Sequence, residues 1–400
     1  MAMSLATAPK SLTLVEGGPS VEVELADDVV EALAQIADVR AQRTGASGRW
    51  VIAAGTKVGV VRVGDLQVTV QPKVPISRLV FLLGYGRRRA FWLDDDVQLD
   101  EHVDLPEALA EALLQASAKA LRRGLLQGYV TVDESAKVLR GRIREADQFR
   151  QHFGRMVPLE VTYDEYTTDI PENRLILSAA IRALRAPGLH PDTVRRLRRL
   201  RLDLSEVTPL PAGAPLPRWT PSRLNERYGS ALAIAELILI GWSFEQRWGH
   251  LNVSGYVVSM AQIFEDFVCV ALATALKRLT GGAATFQDGM FLDVDRRVRV
   301  RPDFVWRRTG TPIIVADAKY KAEKPAGFPQ ADLYQMLAYC TVLGLERGHL
   351  VYAAGEADET VHRVTGSPIE IRCHALDLSF QPRELLGRID NLAGTLVELG

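Results

Sequence analysis

The chain has 400 residues, 47% of them apolar and 24% charged, and a formal net charge of −1. These are the proportions of a globular protein of two or three domains, each half able to bury its own core. They do not mark a strongly basic nucleic-acid-coating chain. With no apolar run of about 18 residues they exclude a membrane-spanning helix.

The longest apolar stretch, ALAIAELILIGW at 231–242, is short and contains Glu236. The start, MAMSLATAPKSLTLVEGG, lacks a basic region followed by an apolar core, so no secretory signal is expected. Cys269, Cys340 and Cys373 are far apart and odd in number. They are expected to be reduced thiols in a cytoplasmic protein, with no zinc site and no disulfide framework.

In chain order, residues 11–30 and 50–75 read as strands, from β-branched residues, period-two alternation and glycine breaks. The run from Gly48 to Lys73 reads as a small antiparallel sheet, and a helix is expected at 76–84. PEALAEALLQASAKALRRGLLQG (106–128) has the spacing of an amphipathic helix, with Pro106 in its first turn and Gly128 at its stop. VLRGRIREADQFRQHFG is strand-like, then polar. Helices are expected at 173–186 and 191–204. In the second of these Val194, Leu197 and Leu200 share a face and arginines fill the others.

The segment 207–223 carries five prolines and no periodicity. It is the expected boundary between a domain at 1–212, β-rich then helical, and a domain at 213–400. Beyond it, helices are expected at 223–241 and 258–279 and strands at 284–293, 296–306 and 312–318. A helix at 329–343, a strand at 347–354 and strands near 361–377 complete the pattern. A helix feeding a mixed sheet and then a further helix makes the fold class α/β (α+β).

The chemistry gathers in RPDFVWRRTGTPIIVADAKYK (301–321). Strand alternation puts Arg297, Arg299, Arg301 and Asp303 on one face. Residues 313–316 are continuously apolar, as in a central strand, and Asp317 and Lys319 then project to one side. Charges at the end of a buried strand are costly unless paired or used. Two aspartates from neighbouring strands would suit a hard divalent cation, with Lys319 beside an attacking water. Glu265 lies in an apolar helical stripe with Ala261, Val268, Cys269 and Leu272, which predicts a third carboxylate facing the interior. Gln335 and Tyr339 fall four apart on one helix face, positioned to hold a phosphate, a water or the lysine. D-x-K alone is most often a strand-end salt bridge; what raises its meaning is the company it keeps. The seven histidines do not cluster in sequence, and no phosphate-cradling G-x-x-x-x-G-K-[ST] exists, so this chain is expected to bind no nucleotide itself.

The set Glu265, Asp303, Asp317, Lys319, Gln335 and Tyr339 resembles the PD-(D/E)XK nuclease superfamily in its RecB-like form, with Asp317 where Glu is commoner. Across nearly the whole chain, VTVQPKVPISRLVFLLGYG (68–86), LRRGLLQGYV (121–130), VLRGRI (138–143), YDEYTTDIPENRLILSAAIRAL (163–184), MAQIFEDFV, RPDFVW, VADAKYK and DLYQMLAYC resemble the McrC family. That resemblance implies a Mg²⁺-dependent DNA endonuclease subunit (Mn²⁺ as a substitute) of a restriction complex directed at 5-methylcytosine. Asp303, Asp317 and Glu265 would hold the metal. Arg299, Arg301 and Lys321 are the candidates for DNA phosphate contacts. It also implies a McrB-like AAA+ GTPase hexamer as partner, which reads the modified cytosine in double-stranded DNA and is stimulated by this chain. The first half would then dock the partner.

Within 163–184, Tyr163, Tyr166, Asn173 and Arg174 read equally as docking residues or as residues that cap and pack the following helix. The basic run 195–201 is by default a solvated helix face, with DNA or partner contact as alternatives. Two further readings stand beside the nuclease subunit: a non-cleaving activator of a AAA+ motor, and a stand-alone RecB-like nuclease.

Overall fold

The structure, a computed structural model, describes residues 11–45, 48–88, 104–211, 213–240, 242–248, 251–322, 330–354 and 359–399. The chain divides into two compact units, one made of Met1–Ala108 with Gly241–Gly400 and the other of Leu109–Ile240. The boundary expected at 212/213 therefore falls inside the second unit. Long-range strand pairing is the cause: Leu251–Ser259 pairs antiparallel with Lys57–Val63, so the first hundred residues and the C-terminal part share one sheet.

In the first unit that sheet has five strands, in the order Ser11–Val15, Leu66–Gln71, Lys57–Val63, Leu251–Ser259, Trp242–Trp248. Ser11–Val15 joins it parallel, beside Leu66–Gln71. The strand Arg49–Ala54 lies instead between Val21–Glu24 and Val39–Arg43 in a separate three-stranded sheet, so the expected single sheet over 48–73 is two.

Residues 27–30, expected as the end of a strand region, instead open a helix, Asp27–Ala37. Val30, Leu33, Ile36 and Ala37 are buried along one side, and Asp27 and Asp28 complement the positive end of the helix dipole. Here the three- and four-residue spacing outweighs the β propensity of Val29 and Val30. The strand pair 242–259 and the C-terminal helix Pro382–Leu399 carry no expectation from the sequence.

The second sheet of this unit positions the site. Its order is Ala283–Phe286, Phe304–Arg308, Thr311–Ala322, Arg347–Ala354, Glu370–Ala375, Glu359–Arg363. Thr311–Ala322 is antiparallel to Phe304–Arg308 and parallel to Arg347–Ala354. Ile314, Val315 and Ala316 are buried, as their unbroken apolar run requires of an interior strand. The segment 296–306 is not one strand: Arg299–Val300 pairs with Met290–Phe291 as a hairpin, and Phe304–Arg308 belongs to the main sheet.

The helix Gln330–Leu343 covers one face of the sheet, where Met336, Tyr339 and Cys340 pack with Val305, Val315, Leu350 and Cys373. Gly348 permits this approach, since a Cβ there would sit 2.5 Å from Met336 Sδ. The helix Met260–Thr280 is capped by Ser259, whose hydroxyl accepts from Gln262 N–H. It meets the helix Ile76–Arg88 through Phe267, whose ring lies 5.9 Å from Phe81 and 5.5 Å from Tyr85. A Cβ at Gly86 would lie 3.2 Å from the Phe267 nitrogen, so the two helices touch at backbone distance.

The second unit is mainly helical. Its helices include Pro171–Ala183, Pro191–Asp203 and Gly229–Ile240, with a three-stranded antiparallel sheet of Gly128–Ala136, Leu159–Thr167 and Arg142–Ile143. The helix expected over 106–128 runs only Leu105–Leu121, and the strand Gly128–Ala136 takes the end of that segment. No described helix is long and apolar enough to cross a membrane.

Candidate active site

Antiparallel pairing of Phe304–Arg308 with Thr311–Ala322 sets Phe304 opposite Ala316, and so brings Asp303 beside Asp317. The two aspartates are cross-linked through backbone. Asp303 N–H donates to Asp317 Oδ1 at 3.3 Å, and Ala318 N–H donates to Asp303 Oδ2 at 3.0 Å. Asp317 is 2% exposed. Its Oδ2 is buried and faces the Lys319 ammonium, with which it forms an ion pair. Successive residues of a strand alternate in direction, so Asp317 and Lys319 reach the same side.

The helix Gln330–Leu343 then holds the lysine. Lys319 Nζ donates to Gln335 Oε1 at 2.9 Å, Gln335 Nε2 donates to the Tyr339 hydroxyl at 2.7 Å, and that hydroxyl donates to the Arg301 carbonyl at 2.9 Å. Gln335 thus contacts the lysine directly, and Tyr339 reaches it only through Gln335.

Burial pushes the Asp303 carboxyl up to about 8, and the negative charges of Asp317 and Glu265 add to this; the Ala318 N–H and Lys319 pull the other way. Burial pulls the Lys319 ammonium down, but the Asp317 charge and hydrogen bond, with the Asp303 charge, hold it above its ordinary value. Burial, then Asp317 and Asp303, raises the Tyr339 phenol.

Glu265 stands on the opposite wall of a cleft of about 370 Å³, lined also by Asp266, Cys269, Gln287, Arg301 and Asp303. Its carboxylate accepts from Gln287 Nε2. Among the described residues no three His, Cys, Asp or Glu side chains form a cluster that could itself hold a metal. Asp303 and Asp317 are thus the donors drawn together, and Glu265 faces them without joining them.

Gln287 has no counterpart in the sequence reading. It is half-buried, has φ of 49° and binds in several directions. Its N–H donates to the Asp303 carbonyl at 3.1 Å, its carbonyl accepts from Arg301 Nε at 2.9 Å, and its side-chain oxygen accepts from Arg301 Nη2. Arg301 therefore sits at the cleft in a fixed pose. Arg299 is exposed on the neighbouring hairpin. The Lys321 side chain lies outside the described residues.

On the strand Thr311–Ala322, Tyr320 donates to Glu16 at 3.1 Å, and Lys73 N–H donates to the same oxygen at 3.3 Å. Glu16 is 3% exposed and its carboxyl is raised, chiefly by burial. The QPK segment is therefore joined to the D-A-K-Y strand through one buried carboxylate. His349 and His374, separate in sequence, are side by side and buried on adjacent strands, 3.1 Å between ring nitrogens. Burial holds His349 well below its ordinary range.

In the second unit the open question over 163–184 divides by residue. Asn173 is fully buried and its amide donates to the carbonyls of Leu126 and Thr168 at 2.8 and 2.7 Å. Arg174 grips Asp169 with two hydrogen bonds of 2.7 Å, and Thr208 adds two more to that carboxylate. These residues pack and cap. Tyr166 is 59% exposed and packs against Tyr129, itself 77% exposed, with the rings tilted by 48° and their centroids 5.0 Å apart. Tyr163 donates to Glu134 at 2.9 Å on the same sheet. Phe149, Phe153 and Met156 are exposed nearby in the chain. In the basic run, Arg196 pairs with Glu111 at 2.8 Å and Arg195 with Asp192 at 2.7 Å, while Leu197 and Leu200 are buried.

Residues 52–353 match the family described as McrBC 5-methylcytosine restriction system component. A search of curated proteins finds no relative of this chain. The fold is similar to a chain of the refined half-complex from a tetradecameric assembly of Thermococcus gammatolerans McrB AAA+ hexamers with bound McrC. The identity is 17%, with 96% of this chain and 100% of that one covered and a TM-score of 0.57. The cryo-EM structure of the Thermococcus gammatolerans McrBC complex aligns with 66% of this chain and 88% of its own, at 20% identity and a TM-score of 0.38. The match over 52–353 spans well over half of the sequence, and the chain belongs to the McrBC family of 5-methylcytosine restriction system components.

Proposed function

We propose that this chain is the McrC-type nuclease subunit of such a system, a Mg²⁺-dependent endonuclease of the PD-(D/E)XK kind that hydrolyses DNA phosphodiester bonds. The observation that carries the reading is the paired carboxylates of Asp303 and Asp317, cross-linked through backbone N–H groups, with Lys319 held against them. The donor set fits a hard divalent cation. Mg²⁺ needs only one or two carboxylates and takes its other ligands from water and phosphate. Burial first, and the Asp317 and Glu265 charges after it, raise the Asp303 carboxyl, and a bound cation would favour its ionised form. Asp303 and Asp317 would hold the ion, which supplies Lewis-acid stabilisation of charge on the phosphate.

The residues of the chain do the rest. Lys319, fixed by Gln335, presents its ammonium at the mouth of the pair, where it orients a water for in-line attack. Glu265, held by Gln287 across the cleft, orients water or metal hydration from the other wall. Arg301 offers a fixed cation to a DNA phosphate, with Arg299 and Lys321 as further basic residues along the same segment.

The second unit, with its exposed Tyr129, Tyr166, Phe149, Phe153 and Met156, is the docking part for a McrB-like AAA+ GTPase hexamer, which brings modified double-stranded DNA and is stimulated in return. The reading draws on the neighbouring assembly, in which McrC is bound to McrB AAA+ hexamers. The chain and a McrB-like partner, reconstituted with methylated DNA and GTP, should cut in Mg²⁺ or Mn²⁺ and stop in EDTA. Cutting that persists in EDTA contradicts the proposal.

A further inference from the structure

Between Phe286 and Asp303 the chain leaves the main sheet and returns as a short arm. Met290 pairs with Val300 and Phe291 with Arg299, and Leu292 N–H donates to the Val298 carbonyl at 2.8 Å. The tip is locked from within. The Asp293 carboxylate accepts from Arg297 N–H at 2.9 Å and from Val298 N–H at 2.6 Å, and Arg296 N–H donates to the Asp293 carbonyl at 3.1 Å. The arm is therefore a preformed two-stranded ribbon.

Its surface is unusual for a turn. Val294 is 100% exposed, and Phe291, Leu292 and Val298 are between 42% and 49% exposed. Arg296, Arg297 and Arg299 are exposed along it. Of its acids, Asp293 is spent on the turn, Asp288 pairs with Arg307 at 3.2 Å, and the exposed Asp295 makes a loose, solvent-exposed ion pair with Arg297 at 3.9 Å, which a phosphate would have to displace. Both legs are rooted in the cleft: Phe286 and Gln287 on one side, Arg301 and Asp303 on the other, line it together with Glu265.

We infer that this arm, 288–301, is a DNA-engaging ribbon that enters a groove next to the scissile phosphate. The inference rests on the nuclease reading above and adds the contact that seats the duplex. The occupant is double-stranded DNA because the exposed arginines match a polyphosphate and because the arm begins and ends at the carboxylates proposed to act on it. A two-stranded ribbon fits the major groove, which is about 12 Å wide, and an apolar tip packs there against base edges and thymine methyls. Arg296, Arg297 and Arg299 then flank the groove at the phosphates, and the Arg301–Gln287–Glu265 connection ties the arm's base to the opposite wall of the cleft.

The test uses the full chain and a fluorescent plain duplex in EDTA, titrated at several salt concentrations. R296A/R297A should weaken binding and lower the slope of log affinity against log salt by about 2, near 0.9 for each lost phosphate contact. V294A should weaken binding without changing that slope. In the reconstituted complex both variants should cut less while stimulating the partner's GTPase as wild type does. Unchanged affinity and slope, or no measurable binding by the wild-type chain at low salt, overturns the inference. So does a loss of GTPase stimulation or an altered assembly mass, which assigns the arm to a protein contact. D317A separates the two levels: loss of cutting with retained binding supports the nuclease reading, and retained cutting refutes that reading while the salt slope still judges the arm.

Discussion

Lys319 and Gln335 are joined by a hydrogen bond of 2.9 Å, and Gln335 is in turn oriented by Tyr339 at 2.7 Å. The ammonium at the end of the central strand is thus aimed by side chains of the helix Gln330–Leu343. Gln335→Ala should lower kcat for DNA cleavage by about ten- to a hundredfold, the usual cost of a small misplacement of an acting group, and leave KM close to wild type. Steady-state cleavage by the reconstituted complex measures both. An unchanged kcat would mean that Lys319 needs no aiming.

Burial, and after it repulsion from the Asp317 and Glu265 charges, pushes the Asp303 carboxyl up to about 8 from an ordinary 3.8. Such a raised acid favours the folded state only while protonated, so stability without metal should fall as pH rises from about 4 towards 8. Asp303→Asn removes that repulsion. In EDTA it should stabilise the chain by on the order of 1–3 kcal/mol, with a larger gain at about pH 8 than at about pH 5, as read by thermal unfolding. The same variant should not cut.

Asn173 has no exposure and satisfies two backbone carbonyls that lie outside its helix. Asn173→Ala removes the side-chain donor from both, although the Thr168 carbonyl keeps the Ile170 N–H, and should destabilise the second unit by about 1–3 kcal/mol in a denaturant titration.

Asp169 is held low, at about 2, first by its hydrogen bond with Arg174 and then by Thr208. A depressed carboxylate gives stability that is present above its unfolded value of 3.8 and lost as pH falls through the folded one. The difference in stability between wild type and Asp169→Asn should therefore narrow between about pH 4 and pH 2, as followed by acid unfolding. A difference that stays constant over that window would remove Asp169 as the titrating group.

The site was legible where local periodicity decides direction. Asp317 and Lys319 are two apart on a strand whose burial is written in Ile314, Val315 and Ala316, and Gln335 and Tyr339 are four apart on a helix. Gln287 was not legible. It lies 22 residues from Glu265 and 14 from Arg301, in a turn with positive φ, and nothing in its own neighbourhood signals a partner. The same limit applied to the domains. A proline-rich stretch marks irregular backbone, but it does not reveal that Val253 pairs with Val63. The helix at Asp27–Ala37 failed for a different reason, since its two valines favour a strand and only the buried stripe decides against it.

The central claim is that Asp317 works on DNA rather than merely closing a strand end. The direct measurement is cleavage of methylated duplex by the complex carrying Asp317→Ala, with the partner's GTPase rate followed in the same tube. The account predicts that cleavage falls to background while GTPase stimulation stays at the wild-type level. Cleavage at or near the wild-type rate would contradict it.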